Sequence, residues 1–318
     1  MWHLEYLDNN GEQEYLKPLF DKVKGKRDNI TIKEVKQYLT DEKLKEILIS
    51  KPNDLYSKTN EYKSRLFCNE YGNWNSANQK QDKNRDRTEK QIIQKYKKIV
   101  EVFDYKTLIS SKKEVSYKIA KLIGINTCVY CNRQYIFTVD EDNDHITRPE
   151  FDHYLPKSEY PFFALSLYNL IPSCHICNSN CKGTEKLDES MNPYLTNPNG
   201  DYFKFTYRPK ANGLPSSVEI KDKSTLGADV IKFLDTFKIQ ELYNCHTELE
   251  LTELYTFATK YSKTYLQEVL SKIIADLKLS QEDAYRMLFG SELFEKKDNN
   301  RPLSKFKRDI LKELRVIK

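Results

Sequence analysis

The chain has 318 residues, with 52 Lys and Arg against 47 Asp and Glu, so its formal net charge is +5. This small excess of positive charge weakly favours an anionic partner and cannot by itself identify a nucleic-acid-binding protein. Hydrophobic residues make up 39% of the chain and glycine contributes only nine residues, which excludes a low-complexity chain and predicts ordered structure with a lean core.

The first residues, MWHLEYLDNNGEQ, lack the basic segment and apolar run of a secretory signal peptide. No stretch of 18 consecutive apolar residues predicts a membrane span. We therefore expect a cytoplasmic protein without membrane contact. In that reducing compartment the seven cysteines are not expected to form a disulfide framework.

Residues 1–127 are predicted to be mostly helical. Apolar residues recur every three or four positions over 88–103 and 111–125, and Gly124 is a typical helix terminator. Residues 70–87 contain few apolar side chains and predict a loop.

Residues 128–190 differ from their surroundings because Cys, His and Asn are concentrated there and helical periodicity weakens. Further along, 202–208 and 217–222 alternate in polarity like two strands of a hairpin, and a helical pattern follows them. The chain is thus predicted to contain a helical region (1–127), a small metal-binding core (128–190), and a hairpin with further helices (191–318).

Four cysteines form two Cys-x2-Cys pairs, Cys128 with Cys131 and Cys174 with Cys177. Each pair can place two thiolates on one side of a metal, and two pairs complete a tetrahedron. Thiolates suit zinc best among the common metals, so we expect a structural Zn²⁺ site. The alternative is four buried free cysteines.

Other features receive weaker predictions. Cys68 and Cys245 fall in helical patterns and are expected in the core, whereas Cys181 is given no role. His145 lies in a polar turn and is expected to be exposed. The basic stretch 80–98 could follow a nucleic-acid backbone, although a solvated helix surface is the simpler interpretation.

The run from Phe151 to Gly183, FDHYLPKSEYPFFALSLYNLIPSCHICNSNCKG, resembles the signature of HNH endonucleases in their zinc-stapled form. The resemblance covers residues 128–183 and does not extend into the flanking helical regions. More narrowly, DHYLPKSEYP and YNLIPSCHICN resemble the HNH nucleases of bacterial anti-phage defence systems, such as the Septu type, in which the nuclease is paired with an ATPase.

This resemblance implies an α+β fold in which a ββα-metal core is embedded in a mostly helical scaffold. The first strand of the core would span 149–155 and the second 169–174. The helix would begin near Cys174 to Asn178 and continue past Lys182.

Hydrolysis of a phosphodiester needs a water nucleophile, a base and a cation that neutralises charge on the phosphate. His153 suits the base, because imidazole titrates near neutral pH. The resemblance implies that Asp152 binds the divalent metal and that Asn169 bonds to the backbone and holds the His. Asn178 stands where the commonest pattern has a second His, as in HNN variants, and its amide oxygen suits Mg²⁺ or Mn²⁺. His175 is an alternative ligand.

Several residues near this motif are candidates for substrate contact. The resemblance places Lys157, Ser158 and Lys182 near phosphates, and Arg133 is a further candidate. For each, a solvated surface residue is the alternative. Glu150 shares a strand face with Asp152 and could assist the metal, although a surface role is the simpler expectation.

The sequence as a whole therefore predicts a metal-dependent nuclease, with DNA favoured as substrate and RNA, including tRNA, as the alternative. Nucleic acid is the expected partner, and the resemblance to the Septu type implies an ATPase subunit as a further candidate partner. The competing hypothesis is a non-catalytic, zinc-dependent subunit that binds nucleic acid or a partner protein.

Overall fold

The structure, a computed structural model, describes residues 2–67, 80–141, 144–197, 201–261 and 263–317. Within these ranges the protein combines many short helices with three two-stranded antiparallel sheets. None of the described helices has both the length and the apolar composition that crossing a bilayer requires. Cys68 and most of the predicted loop 70–87 lie outside the described residues.

The N-terminal helices are Asn9–Leu16, Phe20–Asp28, Lys33–Tyr38, Asp41–Leu48, Pro52–Phe67, Arg87–Val102 and Lys113–Ile123. Capping residues fix the start of helix Arg87–Val102 and the end of helix Lys113–Ile123. Asp86 accepts the N–H of Glu89 and the Glu89 side chain accepts the N–H of Asp86, a capping box that starts the helix at Arg87. Gly124 ends the next helix with a φ of 66°, which glycine adopts without strain. Both helices match their predicted positions within two residues.

The strands are β1 (Val139–Glu141), β2 (Asp144–Thr147), β3 (Glu150–His153), β4 (Leu170–Ser173), β5 (Phe205–Pro209) and β6 (Pro215–Ile220). They pair as three antiparallel hairpins, β1 with β2, β3 with β4, and β5 with β6. In the second hairpin, Asp152 lies opposite Ile171 and His153 lies opposite Leu170. β4 is buried at every position and β3 is buried from Phe151 onward, so this hairpin lies in the interior.

A short helical segment, Ile176–Lys182, follows β4 directly. It is wider than an α-helix, because its hydrogen bonds span five residues, as in the bond from the Gly183 N–H to the Asn178 carbonyl (2.9 Å). The expectation that this helix continues past Lys182 is wrong. Gly183 has a positive φ of 51°, and the helix ends there.

The C-terminal helices are Ala228–Thr236, Ile239–Asn244, Thr252–Lys260, Lys263–Leu277, Gln281–Phe289 and Ser304–Glu313. The last of these buries Phe306, Ile310 and Leu311 completely. Its Arg308 is also buried and donates two hydrogen bonds to the Asp298 carboxylate, at 2.7 and 2.8 Å. This paired geometry compensates for the removal of both charges from water.

Both helical regions bond directly to the central region. On the N-terminal side, the Tyr15 hydroxyl donates to the Leu165 carbonyl at 2.6 Å. On the C-terminal side, the Asn132 side chain donates to the Asp298 carbonyl at 2.7 Å, and the Leu303 N–H donates to the Asn132 carbonyl at 2.7 Å. The hairpin β3–β4 is therefore held between the two sets of helices.

Two expectations about exposure are wrong. Cys245, expected in the core, is exposed. His145, expected to be exposed, keeps only 16% of its side chain accessible, because its Nδ1 lies 2.7 Å from Asp140 and its ring lies 4.6 Å from the Tyr117 ring. A local pattern does not show which face another element will cover.

Candidate active site and metal centre

The cysteines Cys128, Cys131, Cys174 and Cys177 are buried, and their sulfur atoms all lie within 4.8 Å of one another. The sulfurs of Cys131 and Cys174 are 4.0 Å apart. Four sulfurs bound to zinc at about 2.3 Å lie roughly 3.8 Å apart in a tetrahedron, so the cluster is close to the size that zinc needs. Elsewhere in the described chain, no other three or more His, Cys, Asp or Glu side chains converge in this way. The predicted cluster is confirmed as one that can hold zinc.

Local backbone turns position these sulfur atoms close together. The Asn132 N–H donates to the Cys128 carbonyl at 2.8 Å, and Asn132 has a φ of 48°, a conformation that Asn tolerates. The Arg133 N–H points at the Cys131 sulfur at 3.4 Å. Arg133, considered above as a phosphate contact, thus lies beside the cysteine cluster. The second cysteine pair lies where β4 passes into the segment Ile176–Lys182.

His153 is buried at the end of β3, with 7% of its surface exposed. Its Nε2 lies 3.0 Å from the Ala164 carbonyl oxygen, which can only accept, so Nε2 carries the hydrogen and Nδ1 presents a lone pair. The edge of the Tyr105 ring packs against it, with ring centroids 4.5 Å apart. Burial, and next the nearby Lys157 cation, lower the pKa of His153 to about 3, so the ring is neutral at pH 7.

Asp152 is also buried, and both oxygens of its carboxylate accept hydrogen bonds. Oδ2 accepts from the Tyr130 hydroxyl at 2.6 Å, and Oδ1 accepts from the Lys182 ammonium at 3.1 Å. Burial raises the pKa of Asp152, and the Lys182 charge and the Tyr130 bond oppose that rise. Lys182 was expected to approach a phosphate. Its side chain is instead completely buried, where it also donates to the His153 carbonyl at 2.9 Å.

Asn178 and Glu150 form a second pair beside Asp152. The Asn178 Nδ2 donates to Glu150 Oε2 at 2.8 Å, which directs the amide oxygen away from that carboxylate. His175 lies 2.7 Å from the other Glu150 oxygen, and 67% of its side chain is exposed. Partial burial opposes ionisation of Glu150, but the bonds from Asn178 and His175 hold its pKa below the ordinary value.

Asn169 is fully buried and ties β3 to the loop that follows it. Its Oδ1 accepts the Leu155 N–H at 2.7 Å, and its Nδ2 donates to the carbonyls of Leu155 (3.1 Å) and Phe163 (3.0 Å). Phe163 directly precedes Ala164, whose carbonyl holds the His153 ring. The amide thus uses both its donor and its acceptor to fix the backbone around that ring.

One cavity of about 400 Å³ brings most of the predicted site residues together. Its lining includes Asp152, His153, Lys157, Ser158 and Asn178. Lys157 and Ser158 are exposed at its edge. The cysteine residues do not line this cavity, so the metal cluster and the cavity are separate sites.

Three residues of the site were not singled out from the sequence. Tyr105 and Arg148 line the cavity, and Tyr130 bonds to Asp152 from behind it. Tyr105 lies outside residues 128–183, Arg148 lies inside them but before the run that starts at Phe151, and no local pattern marks either residue. Tyr130 lies between two cysteines of the predicted metal site, and this position is the one feature of the sequence that could have identified it.

The donor chemistry of the cavity fits a hard divalent cation. Asp152, Glu150 and Asn178 supply carboxylate and amide oxygens around it, and such oxygens suit Mg²⁺ and Mn²⁺. Mg²⁺ usually keeps several waters, so two or three protein oxygens are enough. The Lys182 ammonium already neutralises part of the Asp152 charge.

Comparisons with known proteins relate part of the chain to two others. No protein-family model and no solved structure matches the chain. This chain is similar to a Septu protein over part of its length. It is 33% identical to the Septu protein PtuB of Bacillus thuringiensis over 97 residues, which are 30% of this chain and 35% of PtuB. It is also 30% identical to protein ea31 of Escherichia phage lambda over 71 residues, which are 21% of this chain and 24% of ea31.

The matched spans thus cover about a third of PtuB and a quarter of ea31. Similarity over such spans relates part of the chain to these proteins. It leaves the activity and partners of the whole protein to be proposed.

Proposed function

We propose that this protein is a metal-dependent endonuclease of the HNH type, which hydrolyses phosphodiester bonds of nucleic acid. DNA is the favoured substrate and RNA is the alternative. In this proposal β3, β4 and the segment Ile176–Lys182 form the ββα-metal core. The observation that supports it most is that His153, Asp152 and Asn178 line one cavity.

His153 is the general base in this proposal. Its Nε2–H is held by the Ala164 carbonyl, so Nδ1 is the atom that takes a proton from the attacking water. The ring is neutral at pH 7, so Nδ1 is unprotonated before the reaction, and its lowered pKa makes it a weaker base than a free imidazole. Because Asn169 fixes the adjacent Phe163 carbonyl, the ring is oriented before substrate binds.

Asp152 and Asn178 would hold the divalent metal through their oxygens. When bound, such an ion neutralises the charge that develops on the phosphate and on the leaving oxygen. Lys157 and Ser158, exposed at the cavity edge, are suited to contact phosphate oxygens of the substrate. Lys182 holds the Asp152 carboxylate from the buried side.

A non-catalytic subunit is the second candidate function, and the ion pair between Lys182 and Asp152 favours it. An ammonium group 3.1 Å from a proposed metal ligand competes with a metal cation for the same carboxylate. In that case the zinc-stapled core would bind nucleic acid or a partner protein without cleaving.

We also propose a role in anti-phage defence, which the partial similarity to PtuB supports. An ATPase subunit is the partner that we expect. Tagged protein expressed together with the products of its neighbouring genes should co-purify an ATPase in fixed stoichiometry. Recovery of the tagged chain alone from that co-expression would contradict the partner proposal.

Cleavage assays test the nuclease proposal and identify the substrate. Purified protein is incubated with supercoiled plasmid or with total tRNA, in Mg²⁺, Mn²⁺ or EDTA. We expect the plasmid to be nicked or linearised only when a divalent metal is present. If only tRNA is cleaved, the preference for DNA is overturned. If the protein together with its expected partner cleaves neither plasmid nor tRNA, the non-catalytic function is favoured.

A further inference from the structure

Tyr130 lies between the two cysteines of the first pair, and its side chain is completely buried. Its ring stacks on Phe237, with centroids 4.2 Å apart and an interplanar angle of 19°. The positions of Cys128 and Cys131 fix the backbone on both sides of it once their sulfurs share a metal. Burial and stacking thus restrict the orientation of the phenol.

That orientation directs the Tyr130 hydroxyl to Asp152 Oδ2, at 2.6 Å. The other oxygen of Asp152 accepts from Lys182, which lies five residues after Cys177 in the same helical segment. Each cysteine pair thus carries one hydrogen-bond donor to the same carboxylate. Two bonds, one to each oxygen, restrict both the position and the rotation of the carboxylate plane.

We propose that Tyr130 is a positioning residue that couples the cysteine cluster to the cavity, by holding the Asp152 carboxylate at the angle that a divalent cation requires. The inference rests on the proposed function, because it takes Asp152 as a ligand of that cation. Side chains that hold metal ligands through hydrogen bonds change metal affinity or activity by about 10- to 100-fold when they are replaced. We expect an effect of that size here.

Tyr130→Phe tests the inference, since it removes only the hydroxyl and keeps the stacked ring. Tyr243→Phe is the matched control. Tyr243 is equally buried, and its hydroxyl also bonds to the cysteine turn, at the Cys131 carbonyl (2.7 Å) instead of Asp152. Zinc content, Mn²⁺ affinity by calorimetry, and the Mg²⁺ concentration for half-maximal cleavage are measured for both variants.

We expect Tyr130→Phe to keep one zinc per chain, to bind Mn²⁺ about 10- to 100-fold more weakly, and to need correspondingly more Mg²⁺ for cleavage. Tyr243→Phe should keep the wild-type metal dependence. Equal Mn²⁺ affinity in Tyr130→Phe and wild type would overturn the inference. So would the same loss in both variants, which would indicate general damage to the cysteine turn.

The outcomes separate this inference from the proposed function. If wild-type protein with its expected partner cleaves nothing, the nuclease proposal fails, while the Mn²⁺ comparison still tests the role of Tyr130. If wild-type protein binds no Mn²⁺ at all, Asp152 is not a metal ligand and the inference is overturned as well.

Discussion

At the scale of single residues, the site depends on buried side chains that are held by hydrogen bonds to the backbone and to one another. Asn169 makes three bonds to the backbone of Leu155 and Phe163, and the next residue, Ala164, holds the His153 ring. The orientation of the ring is therefore decided by an amide that does not line the cavity itself.

Asn169→Ala should destabilise the protein and remove the contacts that orient the His153 ring. It removes three buried hydrogen bonds to the backbone, which costs about 3 kcal/mol of unfolding free energy at roughly 1 kcal/mol per bond. The Phe163 carbonyl keeps the bond that it accepts from the Ser166 N–H, at 3.1 Å. Urea unfolding measures this cost. Asn178→Ala is the comparison, because Asn178 is less buried and donates a single side-chain bond, to Glu150. Equal stability of the two variants would contradict the role assigned to Asn169.

At the scale of elements, two cysteine pairs and one hairpin define the centre of the protein. The pairs are separated by 42 intervening residues, which include β3, its following loop and β4. A metal shared by the pairs closes this segment into a loop and fixes both its ends. Binding of the metal then contributes directly to the folding free energy of the hairpin.

Removal of the metal should consequently lower the thermal stability of the protein. Cys177→Ser is expected to lose zinc and to unfold at a lower temperature than wild type, as measured by metal analysis and by circular dichroism. Cys245→Ser is the matched control, because Cys245 is exposed and lies outside the cluster. Retention of one zinc per chain by Cys177→Ser would show that the four cysteines do not form the site.

Sequence patterns predicted the features of these elements that depend on local spacing. The two Cys-x2-Cys pairs met as expected, because ligand spacing within a turn is local and the metal supplies the rest. The burial of the Lys182 side chain and the exposure of Cys245 could not be predicted, because both depend on which surface another element covers. The five-residue hydrogen bonds of Ile176–Lys182 have no signature in the residue pattern.

At the scale of the whole molecule, the helical regions enclose the centre and leave the cavity open to solvent. Tyr15 bonds the N-terminal helices to the loop between β3 and β4. Asn132 bonds the first cysteine turn to the C-terminal region. Lys157 and Ser158 remain exposed beside the cavity, where their side chains are accessible to a polyanion.

The central claim is that His153 performs a proton transfer in metal-dependent cleavage of nucleic acid. The most direct measurement is the cleavage rate of His153→Ala in Mg²⁺ and Mn²⁺, with His145→Gln as a control at a histidine outside the cavity. We expect His153→Ala to bind zinc and nucleic acid as wild type does and to lose cleavage by about 100-fold or more, since general-base catalysis contributes at least that factor. Wild-type cleavage by His153→Ala would contradict the account.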